Sequence, residues 1–251
     1  MVFNKIFNND CFNIFKIIPK KSIDLVLVDL PYGQTSCEWD VKIDLKLMWD
    51  NLKTICKDNC QYVFFTTTRF GNDLINSNPK MFRYDLVWEK HNAVGFLNAN
   101  KMPMRLHEMI YIFSSSNAID KTLTKTYNPQ KTPGKAYHST GHPVKDTVYG
   151  KMKIVDRVNI TGDRHPKSII KFHQSDEKLH PTQKPSDLCE WLIKTYSNEN
   201  DVVLDFTMGS GSTIIAAIKS NRRYMGIEKD KSIFEIAQTR INKHKNINVE
   251  I

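Results

Sequence analysis

Runs of apolar residues that end at turns alternate along this chain with segments whose apolar residues recur every three or four positions. In the first half, runs rich in Val, Ile, Phe and Tyr occupy residues 22–30, 61–67, 84–90 and 107–114, which is typical of buried strands. Between the first two, residues 43–57 have the apolar spacing of an amphipathic helix. The alternation predicts a parallel sheet, although the last two strands are separated by a loop alone.

The second half repeats this alternation of strands and helices. The amphipathic segment at 184–197 has Pro185 near its start, a common position for proline in a helix. A short apolar segment at the N-terminus predicts one further strand. The pattern predicts strands at 2–10, 201–206 and 222–230, and helices at 184–197, 211–220 and 232–244.

The middle of the chain, residues 115–178, lacks clean periodicity and is rich in Lys, Thr, Pro, Gly, Asn and His. A stretch this long inside a compact domain is usually functional or disordered. Residues 120–178 carry 12 Lys and Arg against 6 Asp and Glu, so they supply +6 of the net charge of +9. We therefore expect one domain in two halves, 1–114 and 179–251, interrupted by a basic insertion that favours an anionic partner.

Several classes of protein are disfavoured by composition. No run approaches the roughly 18 apolar residues of a membrane span, and the N-terminus has Asn and Asp where a signal peptide is apolar. We therefore expect a cytoplasmic protein without a membrane partner. The five cysteines are scattered and odd in number, so a disulfide framework is not expected. Cys56 and Cys60 are four residues apart, a spacing that on a helix would place both on one face, and we interpret them as reduced, structural residues.

The first apolar run ends abruptly in Asp29, Leu30, Pro31, Tyr32 and Gly33. A buried strand thus delivers a carboxylate and an aromatic ring to one point, where the proline fixes the backbone. This arrangement fits a reaction site, and it also fits a tight turn.

A glycine-rich turn follows the strand at 201–206. The strand ends at Asp205, and Gly209 and Gly211 precede the next helix, a geometry in which the backbone can approach a ligand closely. Glu228 ends the following strand, where an acid can bind a ribose diol. The dinucleotide fingerprint is not met, because Ile214 stands at the third glycine position. The turn predicts half of a nucleoside site, with an ordinary strand–helix turn as the alternative.

A third polar run, His-Pro-Thr-Gln-Lys-Pro at 180–185, precedes a predicted helix, so Thr182 and Gln183 could cap that helix or contact a ligand. Histidines at 138, 142, 165 and 173 are too irregularly spaced to predict a metal site.

Together, DLPYG at 29–33, HPTQKP at 180–185, FTMGSGST at 206–213 and GIE at 226–228 resemble the DNA amino-methyltransferases. The order of the motifs resembles the permuted β class, in which the catalytic motif comes first, a target-recognition insertion follows, and the cofactor motif comes last. The resemblance covers residues 7–240. It implies a Rossmann-like, seven-stranded α/β sheet with one antiparallel strand, circularly permuted.

The resemblance also implies roles for individual residues. Asp29 and the Leu30 carbonyl would accept the two hydrogens of a base amino group, Pro31 would keep the turn rigid, and Tyr32 would stack on the flipped base. The family usually has proline where this chain has Leu30, but the accepting carbonyl belongs to the backbone. The residues implied for S-adenosylmethionine are Asp10, Thr182, Lys184, Asp205, Phe206, Gly209, Gly211 and Glu228. Trp88 and Lys90 match a strand end of the family.

We therefore expect a site-specific DNA adenine methyltransferase that modifies N6 of a flipped base in double-stranded DNA, without a metal. Asp at position 29 leans towards adenine, whereas methylation of the cytosine amino group at N4 is the close alternative. An RNA or protein methyltransferase, or a DNA-binding relative impaired through Leu30, are further alternatives. The resemblance allows a homodimer and a cognate restriction enzyme as additional partners.

Overall fold

The structure, a computed structural model, describes residues 2–33, 41–115, 126–140, 156–173 and 183–247. Strands and helices alternate over most of these ranges, as the hydrophobic pattern predicts. The strands are β1 (Lys5–Asn8), β2 (Ile23–Asp29), β3 (Cys56–Thr66), β4 (Phe82–Val94), β5 (Arg105–Ser114), β6 (Tyr137–Ser139), β7 (Arg157–Asn159), β8 (Ile169–Lys171), β9 (Val202–Asp205) and β10 (Arg223–Glu228). The helices are α1 (Cys11–Phe15), α2 (Leu45–Ile55), α3 (Thr68–Ser77), α4 (Ser186–Tyr196), α5 (Ser212–Lys219) and α6 (Lys231–Ile247), with a short 3₁₀ helix at Phe96–Asn98.

Eight strands form one sheet in the order β1-β10-β9-β2-β3-β5-β4-β8. β5 runs antiparallel to β3 and β4, and the other neighbouring strands are parallel. The predicted α/β class and its antiparallel strand are confirmed, but the described sheet has eight strands and not seven. The additional strand is β8, which pairs with β4. Its three residues, Ile169–Lys171, are too few for periodicity to reveal a strand.

The two halves of the sheet meet where β2 lies beside β9, with Leu25 opposite Val203 and Val26 opposite Leu204. The strands that carry the glycine turn therefore come last in the chain but lie next to β2, as a permuted order requires. Because β2 and β9 are parallel, their carboxyl ends, Asp29 and Asp205, lie at the same edge of the sheet. Ligands of open α/β sheets bind at this edge.

The central strand β2 is apolar on both faces. Val26 and Val28 lie in a core that contains the buried residues of α1, α2 and α3, whereas Leu25 and Leu27 lie in a core formed with α4, α5 and α6. Successive residues of a strand point to opposite faces, so a strand covered on both faces needs a continuous apolar run. This explains why residues 22–30 do not alternate.

Further details of the sequence-based prediction are wrong, and helix α1 was not predicted. The helix predicted at 43–57 ends at Ile55, and the chain turns directly into β3, so Cys56 and Cys60 are buried in a strand. Helix α3 was not predicted, because Gly71 interrupts its short apolar pattern. That glycine allows close packing, since a β-carbon there would lie 2.5 Å from a ring carbon of Tyr111.

The described residues between Pro129 and Lys167 form a second compact unit. Its strands β6 and β7 pair as an antiparallel hairpin, and Thr132 and Arg164 exchange backbone hydrogen bonds. The unit falls within the predicted insertion at 115–178, whose function in target recognition stays a prediction. Among the described residues, no helix is long and apolar enough to cross a membrane.

Candidate active site

Carboxylates end three neighbouring parallel strands. Asp29 ends β2, Asp205 ends β9 and Glu228 ends β10. A hydrogen bond joins the first two strand ends, because the Thr207 hydroxyl donates to the Asp29 carbonyl oxygen at 3.0 Å. The turn at 29–33 and the glycine-rich turn are therefore brought together into one site.

Both side-chain oxygens of Asp29 accept a hydrogen bond. The Tyr32 hydroxyl donates to Oδ1 at 2.5 Å, and Lys184 Nζ donates to Oδ2 at 2.6 Å. The side chain is 26% exposed, so it is held in one orientation while part of it stays open to a ligand. Bonds to a charged group are about twice as strong as neutral ones, and this pair fixes the direction of the carboxylate.

Lys184 lies between two carboxylates and is 12% exposed. Besides Asp29, its ammonium contacts Glu108 Oε2 at 3.3 Å, and Glu108 forms a further ion pair with Lys90. Burial alone lowers the pKa of Lys184, but Asp29 and Glu108 outweigh it and raise that pKa above its ordinary value. Burial likewise raises the pKa of Glu108, whereas the two lysines bring it below its usual range.

Glu108 is a residue that sequence reasoning missed. It is the second residue of the apolar run HEMIYIFS on β5, and a single acid within that run was the available signal. The alternating charges of Lys90, Glu108, Lys184 and Asp29 form one connected row of ion pairs at this edge of the sheet.

Of the side chains that follow Asp29, that of Leu30 lies in the hydrophobic core and that of Tyr32 lies at the site. Leu30 is 2% exposed and packs in the core with α1, α2 and α3. Tyr32 is half-buried, and its ring centroid lies 5.1 Å from that of Phe70 at an angle of 38°. Pro31, also half-buried, lies between them. The leucine therefore has a packing role that a proline could not reproduce.

The glycine-rich turn has the backbone geometry expected of a ligand-binding loop. Gly209 and Gly211 both have positive φ angles, +51° and +84°. A β-carbon at Gly209 would meet nothing within 4 Å, so the space above this residue is open. The Gly209 N–H donates to Glu228 Oε2 at 3.0 Å, and Arg240 braces the turn by donating to the Ser210 hydroxyl at 3.0 Å.

Asp205 is almost fully buried, with 4% of its surface exposed. Burial raises its pKa to about 7; hydrogen bonds from Thr213 and Thr207 oppose this shift, and the charges of Asp29 and Glu228 add to it. The pKa of Glu228 is also raised, chiefly by burial. An acidic pocket that resists ionisation is suited to a ligand that brings positive charge.

The remaining residues implied for the cofactor are distributed as follows. Asp10 caps α1 by accepting from the Phe12 N–H at 3.0 Å, and Asn9 donates its N–H to the Glu228 carbonyl at 3.1 Å. The Phe206 ring is buried, 5.3 Å from that of Phe15. Thr182 lies outside the described residues.

Two further residues that matched the family lie near this row. Trp88 donates its indole N–H to the Phe172 carbonyl at 3.0 Å, and Lys90 Nζ lies 5.3 Å from the Trp88 ring centroid. Trp88 thus supports the strand end, and Lys90 belongs to the charged row. Among the described residues, no group of three His, Cys, Asp or Glu is arranged to hold a metal ion.

This chain matches a family model described as DNA methylase over residues 23–239. The type II methyltransferase M1.MboII of Moraxella bovis is 28% identical over 263 aligned residues, which cover 96% of this chain and 97% of the relative.

Solved structures resemble the fold over a similar length. The M1.HpyAVI–SAM complex has a TM-score of 0.63 at 22% identity and covers 94% of this chain and 98% of its own. The PvuII DNA methyltransferase, described as cytosine-N4-specific, has a TM-score of 0.66 at 14% identity, with coverage of 97% and 90%. At this level of identity, the two structures support the fold.

Proposed function

This chain belongs to the DNA methylase family, and from that premise we propose that it methylates the amino group of adenine, at N6, in double-stranded DNA. It is a DNA amino-methyltransferase, and its cofactor is S-adenosylmethionine. The observation that carries the adenine proposal is the Asp29 carboxylate, held by Lys184 and Tyr32 at the edge where the glycine-rich turn is open.

Asp29 acts on the amino group as a hydrogen-bond acceptor. Each carboxylate oxygen has two lone-pair sites, so Asp29 can bind an amino hydrogen while Lys184 and Tyr32 keep their bonds. The Leu30 carbonyl accepts the second hydrogen. Two acceptors favour a pyramidal nitrogen whose lone pair points outward, and Asp29 holds the proton that the nitrogen loses once it is methylated. Positioning and electrostatics thus provide the catalysis.

The glycine-rich turn fits the cofactor, which supplies a methyl group activated by a positively charged sulfur. Asp205, Phe206, Gly209 and Gly211 would line its methionine part, where the open space at Gly209 and the acidic surroundings match a cationic group. Glu228 would bind the ribose hydroxyls. The buried Ser212 hydroxyl has no hydrogen-bond partner among the described residues and offers one further polar contact.

Three more residues complete the cofactor assignment. Asp10 follows β1, next to the strand that Glu228 ends, so we place the adenine of the cofactor near it. Thr182 and Lys184 belong to the run assigned to closing over the cofactor. Lys184 reaches Asp29 and would therefore connect the cofactor side of the site with the base.

The target base must leave the helix, since its amino group cannot reach Asp29 inside a stacked duplex. Extrusion costs a few kcal/mol, and stacking on Tyr32 offsets part of that cost. We assign residues 115–178 to target recognition, flanked by catalytic and cofactor halves at 1–114 and 179–251. A cytoplasmic location, a homodimer and a cognate restriction enzyme belong to the same proposal.

Cytosine N4 is the alternative target, because the fold also resembles that of the PvuII enzyme, which is described as cytosine-N4-specific. The test incubates the protein with unmethylated duplex DNA and cofactor labelled in its methyl group, followed by mass spectrometry of the nucleosides. We expect N6-methyladenine from the wild-type protein and none from Asp29→Ala. N4-methylcytosine as the sole product would overturn the adenine assignment, and label in RNA but not in DNA would overturn the DNA substrate.

A further inference from the structure

The hairpin of β4 and β5 extends far beyond the strand ends that form the active site. Across the sheet, Asp29 lies opposite Phe65, Phe65 opposite Ile110, and Ile110 opposite Leu86. β4 continues from that row to Val94, eight residues further on. At about 3.3 Å per residue, the hairpin projects up to roughly 25 Å past the catalytic edge. Its tip therefore overhangs the side on which a DNA substrate must lie.

The tip has an apolar surface. Phe96 is 71% exposed and Leu97 is 83% exposed, at the point where the hairpin turns. The exposed apolar residues of the hairpin are Val94, Phe96, Leu97, Met102, Met104 and Leu106. Large apolar side chains clustered on a surface usually mark an interaction site.

The charge of the hairpin limits the kind of partner. Residues 91–107 contain Lys101, Arg105 and two histidines, but no Asp or Glu. A partner that fits this surface therefore has negative charge on its outside and apolar surfaces that the side chains of the tip can contact. Duplex DNA has this combination, because its phosphates surround a stack of flat bases.

The conformation of the tip is built by hydrogen bonds. Gly95 adopts a left-handed conformation with φ of +94°, and the 3₁₀ turn follows directly. Asn98 donates its N–H to the Gly95 carbonyl at 3.0 Å, and Lys101 donates to the Asn98 carbonyl at 2.8 Å. The apolar side chains are thus presented on an ordered turn, so less entropy is lost when they bind.

We propose that this hairpin tip, residues 94–106, is a DNA-contacting wedge that inserts Phe96 and Leu97 into the base stack beside the extruded base. The inference rests on the proposed function and adds a second contact to the same substrate. A two-stranded ribbon fits a DNA groove, and inserted apolar side chains unstack base steps in other DNA-binding proteins. Lys101 and Arg105 contact the phosphates that flank the insertion.

The test compares the double variant Phe96→Ser/Leu97→Ser with Ile17→Ser, a matched control that is 55% exposed on another part of the surface. Affinity and single-turnover rate are measured on a duplex containing the methylation site that modified-base sequencing identifies. One duplex has a matched target pair and a second has a mismatch at the target, which lowers the cost of extrusion. All three proteins should unfold at the same temperature, because the replaced side chains are exposed.

We expect the affinity and the single-turnover rate of the double variant to fall by about tenfold or more on the matched duplex. Both should fall much less on the mismatched duplex, because a wedge chiefly lowers the cost of extrusion. Ile17→Ser should match the wild type. Equal losses on both duplexes, or no loss, would overturn the wedge. A change from dimer to monomer in sedimentation, with unchanged rates per protomer, would instead assign the tip to a second copy of the chain.

A charge variant provides an independent readout. Lys101→Gln/Arg105→Gln should reduce the dependence of log affinity on log salt by about one to two, as expected for the loss of up to two phosphate contacts. An unchanged slope would argue against contact with DNA. If the wild-type protein methylated DNA and neither variant differed from it, the inference alone would fail. Absence of any methyl transfer to DNA by the wild type would refute the proposed function instead.

Discussion

Asp29 and Asp205 end adjacent parallel strands of the same sheet, yet their surroundings are opposite. Asp29 is partly exposed, with an ammonium on one oxygen and a hydroxyl on the other. Asp205 is almost fully buried, with 4% of its surface exposed, and burial raises its pKa to about 7. Two carboxylates in contrasting environments commonly have different roles. We propose that Asp29 accepts hydrogen bonds from a neutral amino group and that Asp205 balances the positive charge of the cofactor.

Asp29→Ala tests the difference between the two carboxylates and should have the largest effect on the rate of methyl transfer. Methyl transfer should fall by about 10³-fold or more, since removing one preorganised electrostatic group costs 10² to 10³ and the proton acceptor is lost with it. Cofactor affinity should stay within about threefold of the wild type, because the glycine-rich turn is intact. Single-turnover assays and calorimetry measure the two quantities. A parallel loss of cofactor affinity would mean that Asp29 belongs to the cofactor site.

Lys184→Gln should have the next largest effect, because it removes the cation that orients Asp29. We expect the rate to fall by about 10²-fold and the free energy of unfolding by about 3 kcal/mol, as Asp29 and Glu108 would be left facing each other with reduced compensation. Lys184→Arg retains the charge and should restore most of the stability.

A matched control for Lys184→Gln is Lys194→Gln, which breaks a helical pair that is 42% exposed. Its effect on unfolding should be at most about 0.5 kcal/mol. Chemical denaturation measures all three variants. Equal stability of the Lys184→Gln and Lys194→Gln proteins would contradict the contribution assigned to the buried row.

The pH dependence of cofactor binding tests the role proposed for Asp205. With a pKa of about 7, Asp205 is mostly protonated at pH 6 and mostly ionised at pH 8. If the ionised form binds the cationic cofactor, affinity should rise about tenfold across this range. Calorimetry at several pH values should show this rise in the wild type and in Asp29→Ala, but not in Asp205→Asn. If Asp205→Asn showed the same rise in cofactor affinity with pH, the rise would belong to another titrating group.

The same shift has a consequence for stability. In the unfolded chain Asp205 loses its proton near pH 4, about its ordinary pKa, whereas in the folded chain it keeps the proton up to about pH 7. The folded state binds more protons between these values, so this contribution to the free energy of unfolding decreases as pH rises through the window. In Asp205→Asn the decrease should be smaller.

Leu30→Pro should have the smallest effect on catalysis. The carbonyl that we propose as acceptor belongs to the backbone, so turnover should stay within about threefold of the wild type. The buried side chain would be lost, however, and the free energy of unfolding should fall by about 1–3 kcal/mol. Turnover and thermal unfolding measure these outcomes. A large gain in turnover would show that the leucine, by giving up the rigidity of proline, impairs the natural enzyme.

Much of the fold was predictable because it depends on periodic burial. The strand β2 is apolar on both faces, and this alone indicates a central position in a parallel sheet. The carboxylates that end β2, β9 and β10 were predictable for the same reason, since each follows directly on an apolar run. The resemblance to a known family supplied their expected roles.

Other features depend on contacts that a linear pattern does not contain. Glu108 becomes part of the site only because antiparallel pairing brings the start of β5 beside Lys184. The extension of the β4–β5 hairpin depends on register, and its residues 91–104 have no regular period. Helix α3 contains a glycine whose purpose is close packing against Tyr111. In each case, tertiary structure determined what the local sequence left open.

The most direct test of the two roles is a parallel measurement on Asp29→Asn and Asp205→Asn. For each variant, the cofactor dissociation constant is determined at pH 8, and the single-turnover rate of methyl transfer is determined at saturating cofactor. We predict that Asp29→Asn binds the cofactor normally but transfers methyl groups at least about 10²-fold more slowly. Asp205→Asn should bind the cofactor more weakly and recover most of its rate at saturation. Equal losses of binding in both variants, or normal transfer by Asp29→Asn, would contradict the account.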